Sequence, residues 1–126
     1  MQDRALKHFN KGADFAKQGE PEKAIDLLDK ALAIEPHNDM LWVLRGSLLY
    51  DLGRYSDAIA SHDKALELRP DYAVAWYSRG VALLKLDQYS DALTAFEKAL
   101  EINPAYVDAK KRRELALHKR DSPSSS

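Results

Sequence analysis

Along residues 55–68 the apolar residues Ala58, Ile59, Ala65, Leu66 and Leu68 recur at helical spacings, while Asp57, Asp63, Lys64 and Glu67 fall on the other side. That pattern is an amphipathic helix. The punctuation around it recurs along the chain. Gly19 and Gly53 suit the left-handed residue that closes a helix, and Asp87 stands at the same place further on. Asp takes that conformation less readily than Gly but more readily than most residues. Pro21 suits a first helical turn. Pro36, Pro70 and Pro104, each 34 residues from the next, stop the helices that precede them. The pattern predicts helices at 4–17, 21–34, 39–51, 55–68, 73–86, 89–102 and 107–120, followed by a disordered tail at 121–126.

The interval of 34 extends beyond the prolines. It relates Gly12, Gly46 and Gly80; Ala24, Ala58 and Ala92; Ala31, Ala65 and Ala99; and Trp42 and Trp76. A fixed period of this length marks stacked helix–turn–helix units, here 5–38, 39–72 and 73–106. Glycine inside a helix costs about 0.5–1 kcal/mol relative to alanine, so three at one repeat position need a packing reason. We expect the first helix of each unit to approach its partner closely there, with the alanines as the matching small residues. Trp42 and Trp76 are expected to fill the gaps between neighbouring pairs.

These residues resemble the tetratricopeptide repeat (TPR), which has Trp at its fourth position, Gly at the eighth, Ala at the twentieth and twenty-seventh, and Pro near the thirty-second. Units two and three carry the set as Trp42, Gly46, Leu49, Ala58, Ala65 and Pro70, and as Trp76, Gly80, Leu83, Ala92, Ala99 and Pro104. Unit one has Gly12, Phe15, Ala24, Ala31 and Pro36, with His8 where Trp is usual. The seventh position, usually Leu, is Lys11, Arg45 and Arg79. The resemblance implies an all-α fold: a right-handed superhelical array of antiparallel helix pairs, with 1–120 as one domain of about seven helices. Segment 107–120 then caps the array, with Val107, Ala109, Leu115 and Leu117 covering unit three and the charged residues facing water.

Composition narrows the function. The 126 residues are 45% apolar and 31% charged, with a formal net charge of −1, so no overall field draws nucleic acid or a membrane surface. No apolar run reaches the roughly 18 residues of a membrane span, and the opening MQDRALKHFN lacks the apolar stretch of a secretory signal. Cysteine is absent, which removes disulfides and thiolate chemistry. The default location is cytoplasmic.

In the family the first helices line a concave groove. Mapped onto this chain, that groove holds Leu6, Phe9, Ala13, Ala16 and Lys17; Met40, Val43, Ser47, Tyr50 and Asp51; and Val74, Tyr77, Val81, Leu84 and Lys85, with Lys111 at its end. The best-known TPR ligands, acidic C-terminal tails of chaperones, are clamped by Lys, Asn and Arg at five places. Those places hold Phe9, Ala13, Leu44, Val74 and Ser78, so the resemblance does not extend to that clamp. An apolar groove suits an amphipathic helix or an extended peptide. The competing reading is that several of these side chains pack within their own unit and expose little.

Other signals carry less. Ser61, His62 and Asp63 are adjacent, but helical neighbours point about 100° apart and cannot converge as a triad. His62 is expected at the edge of the core. His37, Asn38 and Asp39 read as turn and capping chemistry, with no second ligand for a metal. Asp26, Asp29, Asp63, Glu67, Glu97 and Glu101 read as solvated faces. Lys110, Lys111, Arg112 and Arg113 read either as a nucleic-acid or import signal or as a solvated cap. The chain is therefore expected to be a non-catalytic adaptor or scaffold for a protein or peptide partner, with no cofactor, metal, nucleic acid or membrane. Self-association through the groove or an array end, and membership of a longer protein, stand as alternatives.

Overall fold

A computed structural model of the chain describes residues 1–122. Seven helices and no strand occur among them: α1 (Asp3–Lys17), α2 (Pro21–Ile34), α3 (Asp39–Asp51), α4 (Tyr55–Leu68), α5 (Ala73–Lys85), α6 (Tyr89–Ile102) and α7 (Val107–Asp121). Each agrees with its expected bounds to within one residue. Of the expected tail, Asp121 closes α7, Ser122 donates its hydroxyl to the His118 carbonyl at 2.6 Å, and residues 123–126 lie outside the described residues.

The turns explain the agreement. After α1, α3 and α5 the chain turns through a left-handed residue: Gly19 (φ 75°), Gly53 (φ 77°) and Asp87 (φ 59°). One residue later an amide reaches back five positions: Glu20 to Phe15 at 2.9 Å, Arg54 to Leu49 at 2.9 Å and Gln88 to Leu83 at 3.0 Å. This is the same helix-closing motif three times. The second helices end alike. The Glu35, Arg69 and Asn103 amides make the last bonds, to Ala31, Ala65 and Ala99 at 2.8–2.9 Å, and proline follows with no N–H to continue. Asn38 caps α3 by accepting from the Leu41 amide at 3.3 Å.

The chain forms two compact units, Met1–Pro70 and a second beginning at Asp71. In the first, α1 packs on α2, α2 on α3 and α3 on α4. Its main cluster joins Ala5, Leu28, Ala31, Leu32 and Leu41, flanked by Phe9, Trp42, Leu44 and Leu48. Half-buried Trp42 thus bridges neighbouring pairs as expected, and its indole N–H donates to the Pro36 carbonyl at 3.0 Å. In the second unit, α6 packs on α5 and on α7, and Phe96 is wholly buried.

Three expectations about packing are corrected. The mid-helix glycines face rings more than alanines. A Cβ on Gly80 would lie 2.6 Å from the Phe96 ring, and one on Gly46 would lie 2.7 Å from the His62 imidazole. His62 is accordingly 1% exposed, inside the core and not at its edge. A Cβ on Gly12 would instead lie 3.3 Å from both the Ala24 carbonyl oxygen and Leu27 Cβ. On α7 the buried residues are Ala109 and Ala116, one face seven residues apart, while Val107 and Leu115 are exposed and Leu117 is half-buried. Leu115 lies about a quarter turn from that face, and small residues let α7 lie close to α6.

The spacing sorts the glycines by consequence. Gly80→Ala should lower stability by about 1–3 kcal/mol despite its better helix propensity, because the Phe96 ring must move. Gly12→Ala should stay within about 1 kcal/mol of the parent chain, since the propensity gain offsets a mild contact. Urea unfolding measures both, and equal losses would refute the assignment of the ring as the cause.

Candidate functional site

The expected groove residues separate by unit and by burial. In the first unit a depression of about 240 Å³ opens between α1 and α3, with α2 as its floor. Its lining is Phe9, Gly12, Ala13, Ala16, Leu28, Leu44, Ser47 and Leu48. Only the Ser47 side chain is polar. Phe9, Ala13, Ala16 and Ser47 belong to the mapped groove. Leu28, Leu44 and Leu48 do not. The pair Leu44 and Leu48, one turn apart beside Ser47, was a usable signal on α3.

The origin of this depression is a substitution within the repeat. Leu28 holds the place that His62 and Phe96 hold 34 and 68 residues later. The rings cover Gly46 and Gly80, but no Leu28 atom is among the three nearest to a Cβ on Gly12. The space that an aromatic ring fills in the later pairs stays open in the first, with bare backbone at its edge.

Other mapped residues lie elsewhere. Leu6 and Met40 are 40% and 37% exposed, and Lys17, Asp51 and Lys85 are exposed at helix ends. Half-buried Tyr50 leans on Tyr55, with ring centroids 5.3 Å apart. Val43, Val81 and Leu84 are 6%, 8% and 9% exposed. Val43 packs inside its own unit, whereas Val81 and Leu84 are buried except where they line a trough with α7. In the second unit Val74 is exposed, and half-buried Tyr77 stacks on Tyr106 at 5.1 Å and tilts against Phe96 at 5.9 Å. Burial, then the neighbouring Tyr77 and Asp108, hold the Tyr106 phenol above its ordinary pKa.

The first unit also contains a polar strut. Arg45 donates from Nε to Asp29 Oδ1 and from Nη1 to Ser61 Oγ, both at 2.7 Å, and its guanidinium lies over the Trp42 ring at 5.9 Å. The recurring basic residue at this repeat position therefore ties α2, α3 and α4 together here. Ser61 is 1% exposed and held by that arginine, as a structural hydroxyl. At the entry to α1, Glu35 accepts from the Gln2 amide, a bond that lowers its carboxyl pKa, with a further lowering from Asn38.

Helical pairs stacked through glycine contacts, with an apolar recess between first helices, define a helical-repeat protein that offers a surface. The family model for the tetratricopeptide repeat matches residues 9–73 and 43–107, and the chain belongs to that family. Solved structures agree. The first TPR of Spaghetti (RPAP3), bound to the HSP90 peptide SRMEEVD, is 28% identical with a TM-score of 0.90, each chain covered to 94%. The second TPR domain of human RPAP3, in complex with the HSP70 peptide SGPTIEEVD, is 25% identical with a TM-score of 0.85, covering 90% of this chain and 94% of that one. A MamA RS-1 double mutant is 31% identical with a TM-score of 0.91, covering 96% of this chain and 68% of that one. Comparison with curated proteins finds no match.

The burial pattern predicts how groove positions respond to charge. Val43→Glu should cost at least about 2 kcal/mol, because a carboxylate enters the core, whereas Ser47→Glu should change stability by less than about 0.5 kcal/mol. Tryptophan-monitored urea unfolding separates them. A stable Val43→Glu variant would return that residue to the surface.

Proposed function

We propose that the chain is a non-catalytic interaction module that takes an apolar peptide or helical segment of a partner protein into the recess between α1 and α3. The observation that carries this reading is the recess lining, seven residues without a polar side-chain atom and one serine, edged by bare backbone at Gly12. Apolar pockets with few polar groups are the usual form of a binding site. Two of the structurally similar TPR domains hold acidic peptides, and this chain has Phe9, Ala13, Leu44, Val74 and Ser78 where the family clamps carboxylates. Its ligand is accordingly apolar where theirs is acidic. Phe9, Ala13 and Leu44 all line the recess, so the places that would anchor charge contribute greasy surface instead.

Random peptides displayed on phage and selected on the intact chain test this. Selected sequences should carry apolar residues at spacings of three, four and seven. Ala16→Trp, at an exposed lining position, should abolish their binding without changing helicity. Binders indifferent to that substitution, or saturable binding of SRMEEVD itself, would refute the reading.

The proposal includes residues 1–120 acting as one domain. Calorimetry should then show a single cooperative transition, and two resolved transitions would defeat that part of it.

A further inference from the structure

The α5–α6 pair shows how a ring is housed in this scaffold, and the α1–α2 pair has the same housing without the ring. Phe96 is wholly buried, and a Cβ on Gly80 would lie 2.6 Å from its ring. On its other side it meets the Tyr77 ring, with centroids 5.9 Å apart and planes tilted by 49°. Gly12 and Phe9 stand 68 residues before Gly80 and Tyr77. The bare backbone and the facing ring are therefore both present in the first pair. The residue 68 positions before Phe96 is Leu28, and the ring itself is missing.

Neighbouring positions are trimmed in the same pair. Ala16 corresponds to Tyr50 and Leu84, and Ala13 to Ser47 and Val81, so each is the smallest residue at its repeat position. Together with Leu28 they leave the recess of about 240 Å³, which no charged side chain lines. An apolar cavity of roughly 150 Å³ is enough to take up benzene. One aromatic ring therefore has room beside Phe9 and against the Gly12 backbone.

The geometry points to a subsite for one aromatic side chain of the partner segment, Phe, Tyr or Trp, with Leu28 as the residue that sets this specificity. The inference rests on the proposed function and names the anchor that function uses. The chain's own third pair is the template for the occupant: the incoming ring takes the place beside Gly12 and Phe9 that Phe96 takes beside Gly80 and Tyr77. An aliphatic side chain would fill part of the volume but lose the contact with the Phe9 ring, a difference of about two- to tenfold in affinity. A charged side chain would be stripped of water with no counter-ion to meet it.

Two probes of the intact chain test this: toluene, followed through the amide resonances of Gly12, Ala13 and Ser47, and displayed random peptides. Toluene should shift those resonances saturably. The selected peptides should share one Phe, Tyr or Trp at a fixed place. Replacing it by Leu should weaken binding about threefold, and by Ala at least about tenfold. Leu28→Phe supplies the ring from within. It should abolish the toluene shifts, weaken the peptides at least about tenfold, and leave the urea midpoint no lower than in the parent chain. Phe9→Leu removes the facing ring and should erase the preference of the peptides for a ring over Leu. A Leu28→Phe chain less stable than its parent would mean that no ring fits over Gly12, and the inference would fall. It would fall equally if the selected peptides share no ring or bind Leu28→Phe unchanged; were those peptides still blocked by Ala16→Trp, the proposed function would stand without it. Saturable toluene binding that Leu28→Phe removes, with no peptide selected, would uphold the ring subsite and refute peptide capture.

Discussion

Each helical pair depends on what its first helix leaves out. At Gly46 and Gly80 the missing Cβ admits a ring from the opposite helix, and a methyl group there would stand 2.6–2.7 Å from ring atoms. Enclosing a phenylalanine stabilises by roughly 1.5–3 kcal/mol, against a helix-glycine cost of about 0.5–1 kcal/mol, so the contact wins. Once the helices approach that closely, only alanine fits at the flanking positions, and Ala58, Ala65, Ala92 and Ala99 are all fully buried. The alanine rows go with the close approach of the helices in every pair, Ala24 and Ala31 included. The first pair keeps the glycine and the alanines but has Leu28 at the ring position. Its recess is the volume that this exchange leaves unfilled.

The helices were legible because their ends are written three times in the same residues. Gly19, Gly53 and Asp87 occupy one backbone state, and Pro36, Pro70 and Pro104 one stop, so any ambiguity in one unit is resolved by the other two. Side-chain burial was less legible because it depends on which element lies opposite. Val43, Val81 and Leu84 sit at repeat positions that face a groove in the family, yet they are buried in this chain. Leucine and valine on α7 drew attention by their size, while Ala109 and Ala116, which make the contact, are too small to stand out in a sequence. Arg45 looked like a departure from the family pattern. It is a strut, and the carboxylate that gives it that role lies 16 residues away on another helix.

Ala13, Ser47 and Val81 share one repeat position, and their fates show how the same scaffold makes unlike surfaces. Ala13 and Ser47 look onto each other's helices across a recess that is almost wholly apolar. Val81 is the buried floor of a trough whose far wall is α7, a helix of uncommon charge density. The difference does not lie in α5, which is as apolar as α3. It comes from the helix placed opposite. An array built this way can alter its ligand chemistry by changing one facing helix, while the glycine–ring contact that holds each pair together stays untouched.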